Sequence, residues 1–165
     1  MTTTSPAAAT PITTYAIALG SNRRGHHGPP EREIAAALAL LKPVAVSPIL
    51  RTPPLGPSKR RFANAAAILE TQDDPPTLLA RLKQIERDFG RRRGRAWGAR
   101  VIDLDIILWS GGAWGEPALT IPHPHFRTRD FVLKPLLAIA PGWRDPITRR
   151  TVRQLLARLI ARPGS

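Results

Sequence analysis

The segment Val101-Ile-Asp103-Leu-Asp105-Ile-Ile-Leu108 constrains this chain more than any other stretch. Its run of β-branched and apolar residues reads as a strand, expected over Arg100 to Trp109. Strand period two puts Ile102, Leu104, Ile106 and Leu108 on one face and both aspartates on the other. The two Cα atoms are then roughly 6.5 to 7 Å apart, so both carboxylates can bind one Mg²⁺ or bracket a pair of ions. For an isolated Asp-x-Asp, an exposed strand face that merely happens to carry two acids is the better fit. The neighbours alter that balance: Arg91, Arg92, Arg93, Arg95 and Arg100 all precede the acids closely. Cations beside paired carboxylates suit a metal–phosphate site, whereas ordinary surface ion pairs would be worth ~0 to 1 kcal/mol each. Trp97, inside the arginine run, fits a lid residue or a buried anchor.

The charge points the same way. The formal net charge is +13, and with Lys42, Lys59, Lys83 and Lys134 the only lysines, nearly all the excess is arginine. Guanidinium groups hold phosphate in a bidentate fork, so either a polyanionic ligand or an arginine-biased solvated surface accounts for it. Cysteine is absent, which removes disulfides and thiolate metal sites. No apolar run approaches the roughly 20 residues of a membrane span, and the start lacks a basic segment followed by an apolar one. The expectation is a soluble cytoplasmic protein with no membrane partner.

At 165 residues the chain suits one domain. Residues 1–14, rich in Thr, Ala and Pro, read as a disordered leader, and 15–162 as the folded domain. Tyr15 to Leu19 reads as a buried strand closed by a turn at Gly20-Ser21-Asn22. A helix opens at Pro29-Pro30-Glu31, carries Ile34, Leu38 and Leu41, and ends at Pro43. Val44 to Thr52 can be extended, with Pro48 marking an edge or bulge. Phe62 to Glu70 reads as a central strand with Phe62, Asn64, Ala66 and Ile68 on one face. Asp74 caps a helix with Leu78, Leu79, Leu82, Ile85 and Phe89 on its apolar stripe, stopping at Gly90. Leu119 to His123 follows an irregular stretch, and helices are expected over Asp130 to Ile139 and Val152 to Ile160. The order predicts an α+β fold: a ferredoxin-like β-α-β-β-α-β core, a mainly antiparallel sheet covered on one face by helices, and extra C-terminal helices.

Two other sites fail, one on residue type and one on spacing. Gly20 and Gly25 are separated as in a P-loop, but His26-His27 stands where Lys-Ser/Thr is needed. His26-His27 and His123-Pro-His125 lack the spacing of a zinc site.

A set of fragments, in order, resembles the 6-hydroxymethyl-7,8-dihydropterin pyrophosphokinases of folate synthesis. They are Ala18-Leu-Gly-Ser-Asn22, Arg51-Thr-Pro-Pro-Leu-Gly56, Phe62-Ala-Asn64, Ile85-Glu86 with Gly90-Arg91, and Trp97-Gly-Ala-Arg-Val-Ile-Asp-Leu-Asp105. Ile121-Pro-His123, Arg129-Asp-Phe-Val-Leu133, Pro135-Leu136 and Ile139-Ala-Pro141 follow. The resemblance implies transfer of diphosphate from ATP to the hydroxymethyl group of a reduced pterin, with two Mg²⁺ ions and AMP as product. It assigns the pterin to Thr52, Pro53, Leu55, Asn64 and two stacking rings, Phe62 and Phe131. Asp103 and Asp105 resemble the metal ligands. Glu86, Arg93, Trp97, Arg100, Ile106, Thr120, His123 and Arg129 resemble the ATP contacts, and Arg91 and Arg100 the catalytic arginines of a loop that closes over the phosphates. The implied partners are ATP and a reduced pterin, bound by a monomer.

Departures from the family pattern are local. Phe62 replaces a common tyrosine and keeps its stacking face. Leu50 stands where a tyrosine often precedes Arg-Thr-Pro, the arginine loop is one residue shorter, and Ala118 replaces an expected arginine. A nucleic-acid module of the same architecture would display aromatics on its central strands, but aromatics are 5% of the chain. A family member that has lost activity is a third reading, disfavoured by the presence of both aspartates, Asn64 and the two phenylalanines.

Overall fold

The computed structural model of the chain describes residues 10–52, 61–90 and 100–162. In chain order these form β1 (Thr13–Ser21), α1 (Pro30–Leu41), β2 (Ala45–Val46), β3 (Leu50–Thr52), β4 (Phe62–Thr71), α2 (Pro75–Asp88), β5 (Asp103–Trp109), β6 (Trp114–Glu116), β7 (Leu119–Ile121), α3 (Asp130–Ile139) and α4 (Val152–Ile160). The main sheet runs β2-β4-β1-β5, with β3 joining β2 on the same side of β4, and every pairing is antiparallel. This is the ferredoxin-like arrangement, with a separate β6–β7 hairpin beside β5.

Local chemistry sets the element ends. Asp74 caps α2 by accepting the Thr77 N–H at 3.0 Å, and Pro75 and Pro76 start the helix where a missing N–H costs nothing. Thr151 and Gln154 form a reciprocal capping box on α4. Lys42 takes a left-handed conformation (φ 51°) to close α1 just before Pro43. Between β2 and β3, Ser47 leaves the regular ladder: its Oγ accepts the Ala66 N–H at 2.8 Å while its own N–H donates to Ala66 O.

Side-chain alternation divides the core in two. Ala63, Ala65, Ala67 and Leu69 of β4 face α1 and α2, while Ala66 and Ile68 face α3 and α4. The sheet is thus covered on both faces rather than one. Alanine fills the middle of β4 because helices approach from both sides, leaving volume for little more than a methyl group.

Several expected boundaries shift. β1 extends past Tyr15–Leu19 in both directions, taking Thr13 and Thr14 from the expected leader. β5 begins at Asp103 rather than Arg100, and Val44–Thr52 divides into two short strands. The hairpin strand β6 was hidden by its glycines. One side-chain assignment also changes. Ile17 pairs with Ile106 but Ala16 pairs with Leu108, so the register skips Ile107. This bulge turns Leu108 away from Leu104 and Ile106 and into the α3–α4 core.

The second core is clasped by one buried ion pair. Asp145 is fully buried and accepts Arg127 Nε at 2.5 Å and Nη2 at 2.9 Å, the Thr148 hydroxyl at 2.7 Å and the Ile147 N–H at 3.0 Å. Burial alone would raise its pKa; the hydrogen bonds outweigh burial and hold it at about 2. A depressed carboxyl contributes stability that is complete above the unfolded value, about 3.9, and is lost as pH falls toward 2. Asp145→Asn is expected to cost about 2 to 3 kcal/mol at neutral pH in urea unfolding and to flatten the acid limb between pH 4 and 2; an unchanged midpoint would contradict the clasp.

Candidate active site

Strand register builds the site. Gly20 of β1 lies opposite Asp103 of β5 on one side and Asn64 of β4 on the other, and Leu50 continues the row. The adjacent row is Asp105–Ala18–Ala66. All point to the face that α3 and α4 cover, but that core ends at Ala66 and Ala18. Past this line the face carries Asp103, Asn64 and, at the start of β4, the half-buried Phe62. Gly20 keeps the middle of the row open: a Cβ there would stand 3.2 Å from Asn64 Oδ1.

Three carboxylates gather at the β5 side. Glu86 of α2 is buried, accepts the Leu104 N–H through Oε2 at 3.0 Å, and has Lys83 Nζ 3.3 Å from Oε1. Burial raises its pKa against the Leu104 N–H, and a hydrogen bond with Asp103 adds to the rise. Asp105 is pushed up to about 6, first by burial and then by the charges of Asp103 and Glu86, with Lys83 and Arg129 pulling the other way. Asp103 pairs with Arg100 Nη1 at 3.3 Å across half-exposed side chains. Such a pair holds weakly, so the guanidinium can turn to a phosphate at little cost.

The turn before α3 supplies the facing wall. His123 is tied to β5 by its N–H, which donates to Ile107 O at 3.0 Å. Its Nδ1 accepts the His125 N–H at 3.1 Å, so the ring proton of the neutral imidazole sits on Nε2. Burial, then Arg129 and His125, depress this histidine to about 4 against the pull of Asp103, leaving it a neutral donor at pH 7. Arg129 stacks over the Phe131 ring at 5.7 Å. Phe131, at the start of α3, is 38% exposed.

Comparison with known proteins decides what this arrangement belongs to. The model of the family described as 7,8-dihydro-6-hydroxymethylpterin-pyrophosphokinase matches residues 16–141. The chain belongs to this family. It is 40% identical over 148 residues to the 2-amino-4-hydroxy-6-hydroxymethyldihydropteridine pyrophosphokinase of Pseudomonas aeruginosa, covering 86% of this chain and 89% of that one. The Synechocystis enzyme of the same name is 38% identical over 138 residues, covering 80% and 71%. Among solved structures, a Plasmodium falciparum HPPK-DHPS crystal structure matches with TM-score 0.75 at 15% identity, covering 94% of this chain and 47% of that one. That likeness concerns the fold, and the chain spans about half of the larger protein. Membership makes the chain a pyrophosphokinase of folate synthesis, passing a pyrophosphoryl group from ATP to hydroxymethyldihydropterin.

The pyrophosphokinase positions named from sequence fall into four groups. Asp103, Asp105, Glu86, Arg100, His123 and Arg129 lie in one electrostatic neighbourhood. Thr52, Phe62, Asn64 and Phe131 line the adjoining rows and the start of α3. Ile106 points into the first core from edge strand β5, and Thr120 is exposed on β7. Pro53, Leu55, Arg91, Arg93 and Trp97 lie outside the described residues. Two residues escaped the sequence reading. Lys83, one turn before Glu86, reaches the carboxylates; an i, i+3 spacing to a buried acid was the available signal. Asn22 clasps Arg100, whose N–H donates to Asn22 Oδ1 at 2.6 Å.

Asp105 offers a direct check. Between the unfolded value, about 3.9, and about 6 the metal-free folded state binds more protons, so its stability falls as pH rises through that window. Carboxyl NMR of the metal-free protein should place Asp105 near pH 6, and Asp103→Asn should lower it. A titration near 4 unmoved by Asp103→Asn would contradict the clustered charges.

Proposed function

We propose that the open end of the sheet is where the family's two substrates meet. The observation carrying this reading is the row Asp103–Gly20–Asn64: an acid, a gap and an amide side by side on one face. The pterin lies over this gap between Phe62 and Phe131, its ring edge read by Asn64 and the β3 end at Thr52. The triphosphate lies toward Asp103 and Asp105, with the nucleoside against the β5 edge at Ile106 and against Glu86 and Thr120. Arg91, Arg93, Trp97, Pro53 and Leu55 enter the proposal by sequence resemblance.

The donor chemistry fits magnesium. No cluster of three or more His, Asp or Glu groups among the described residues forms a complete cage. Magnesium rarely uses one: it binds through one or two carboxylates and completes its shell with water and substrate phosphates. Asp103 and Asp105 are such a pair, and a cation beside them would favour the charged form of Asp105, which burial first and then the charges of Asp103 and Glu86 disfavour. Two ions on them would neutralise triphosphate charge and orient its oxygens.

In the reaction, the hydroxymethyl oxygen forms a bond to the β-phosphorus and the bond to the oxygen of the α-phosphate breaks, releasing AMP. The alcohol proton goes to solvent. The protein's share is positioning and charge. Arg100 and Arg129 bring positive charge to the phosphates, and His123 Nε2–H donates to a phosphate oxygen without adding charge of its own. The stacked rings hold the hydroxymethyl group in line. One chain supplies all these groups, so a monomer suffices, with the folded unit opening at β1 from Thr13. We place the enzyme in the cytoplasm, where ATP is abundant; no helix among the described residues is long and apolar enough to cross a membrane.

Incubation with Mg-ATP and hydroxymethyldihydropterin should yield AMP. Asp103→Ala and Asp105→Ala should each lower turnover by at least ~10²-fold while the unfolding transition stays cooperative. ADP as product, or variants with undiminished rates, would overturn the assignment.

A further inference from the structure

The loop at 22–28 touches both ends of the chain that flank Arg91 to Ala99. At the later end, Asn22 holds the Arg100 backbone in both directions: Arg100 N–H donates to Asn22 Oδ1 at 2.6 Å, and Asn22 N–H to Arg100 O at 3.1 Å. Gly25 lies flat against Val101, where a Cβ would come within 2.5 Å of Val101 Cγ1. At the earlier end, the His27 ring packs on Phe89, centroids 4.9 Å apart, directly after α2. Gly25 and Gly28 close the loop with two backbone hydrogen bonds.

A single buried carboxylate anchors this loop. Glu33, in the first turn of α1, is fully buried, and a charge there is costly unless satisfied. Its Oε1 accepts the His27 N–H at 2.7 Å and its Oε2 meets His27 Nδ1 at 2.8 Å. The same carboxylate fills the space beside Gly25, where a Cβ would lie 2.6 Å from Oε1. Packing alone would place an apolar residue at 33. The glutamate instead fixes where the loop sits, and through Asn22 it fixes Arg100.

We infer that Glu33 and His27 are positioning residues for the pyrophosphoryl transfer: they hold the 22–28 loop so that Asn22 sets the Arg100 backbone beside Asp103. This rests on the reading of Arg100 as a triphosphate contact, but the hold on Arg100 is measurable without catalysis. Neither residue touches the carboxylate cluster. Loss of the anchor should therefore loosen Arg100 and leave the sheet intact.

Amide hydrogen exchange by NMR on His27→Ala tests the hold first. Arg100 N–H should exchange about tenfold faster, with Leu19 of β1 unchanged. Unaltered Arg100 exchange, or equal acceleration of Leu19, would overturn the inference whatever the activity. Turnover then tests its route. His27→Ala and Glu33→Gln should each lower kcat about tenfold with the pterin KM unchanged, and neither should lower it further in an Arg100→Ala background. Additive losses in that background would show action by another route and sink the proposal. His27 is half-exposed, so its variant carries the test even should Glu33→Gln fail to fold.

Discussion

β1 hydrogen-bonds to β4 along one edge and to β5 along the other, and its sequence is nearly empty on the face that matters. Ala16, Ala18 and Gly20 recur at period two, so each row across the sheet is decided by what β4 and β5 place on either side. At Ala16 the flanking residues are Ile68 and Leu108, and the row belongs to the core. At Gly20 they are Asn64 and Asp103, and the row lies beyond the core, at the proposed site. One strand thus sets where the core stops, because its small residues admit α3 and α4 at one end and, in the proposed site, would admit substrate at the other.

The charge distribution follows from this placement. In the corner shared by Glu86, Asp103 and Asp105, burial first, and then the charges of Asp103 and Glu86, push Asp105 up to about 6, with Lys83 and Arg129 offsetting the rise only in part. An arrangement optimised for stability alone would not retain such a corner. In the proposed site, a cation-laden triphosphate would replace carboxylate repulsion with attraction and give the arginines anionic partners. The imidazole of His123, kept neutral by burial and by Arg129, adds a hydrogen-bond donor without further charge.

Much of this was legible in the chain. The acid pair on one strand face, the asparagine two residues into β4 and the capped α2 helix follow from period and capping chemistry, and the ordered family fragments implied roles that the proposed site uses. What the residues could not reveal depends on contacts between distant segments. The bulge that turns Leu108 to the other core is a matter of register against Ala16, and nothing local announces it. Coverage of the second face required knowing that α3 and α4 fold back over Ala66. Lys83 and Asn22 read as a surface lysine and a turn residue until the fold brings them to Glu86 and Arg100. The His27–Glu33 contact was hidden for the same reason: a buried glutamate in a helix's first turn looks, in sequence, like any solvent-facing acid favoured by the helix dipole.

The central claim is that Asp103 and Asp105 form the metal-bearing floor of the triphosphate site. A crystal of the protein grown with Mn²⁺ and a non-hydrolysable ATP analogue tests it directly, because Mn²⁺ occupies magnesium's oxygen sites and scatters anomalously. Anomalous peaks in contact with both carboxylates and with phosphate oxygens are the predicted result. Nucleotide bound with its metal away from Asp103 and Asp105 would contradict the account.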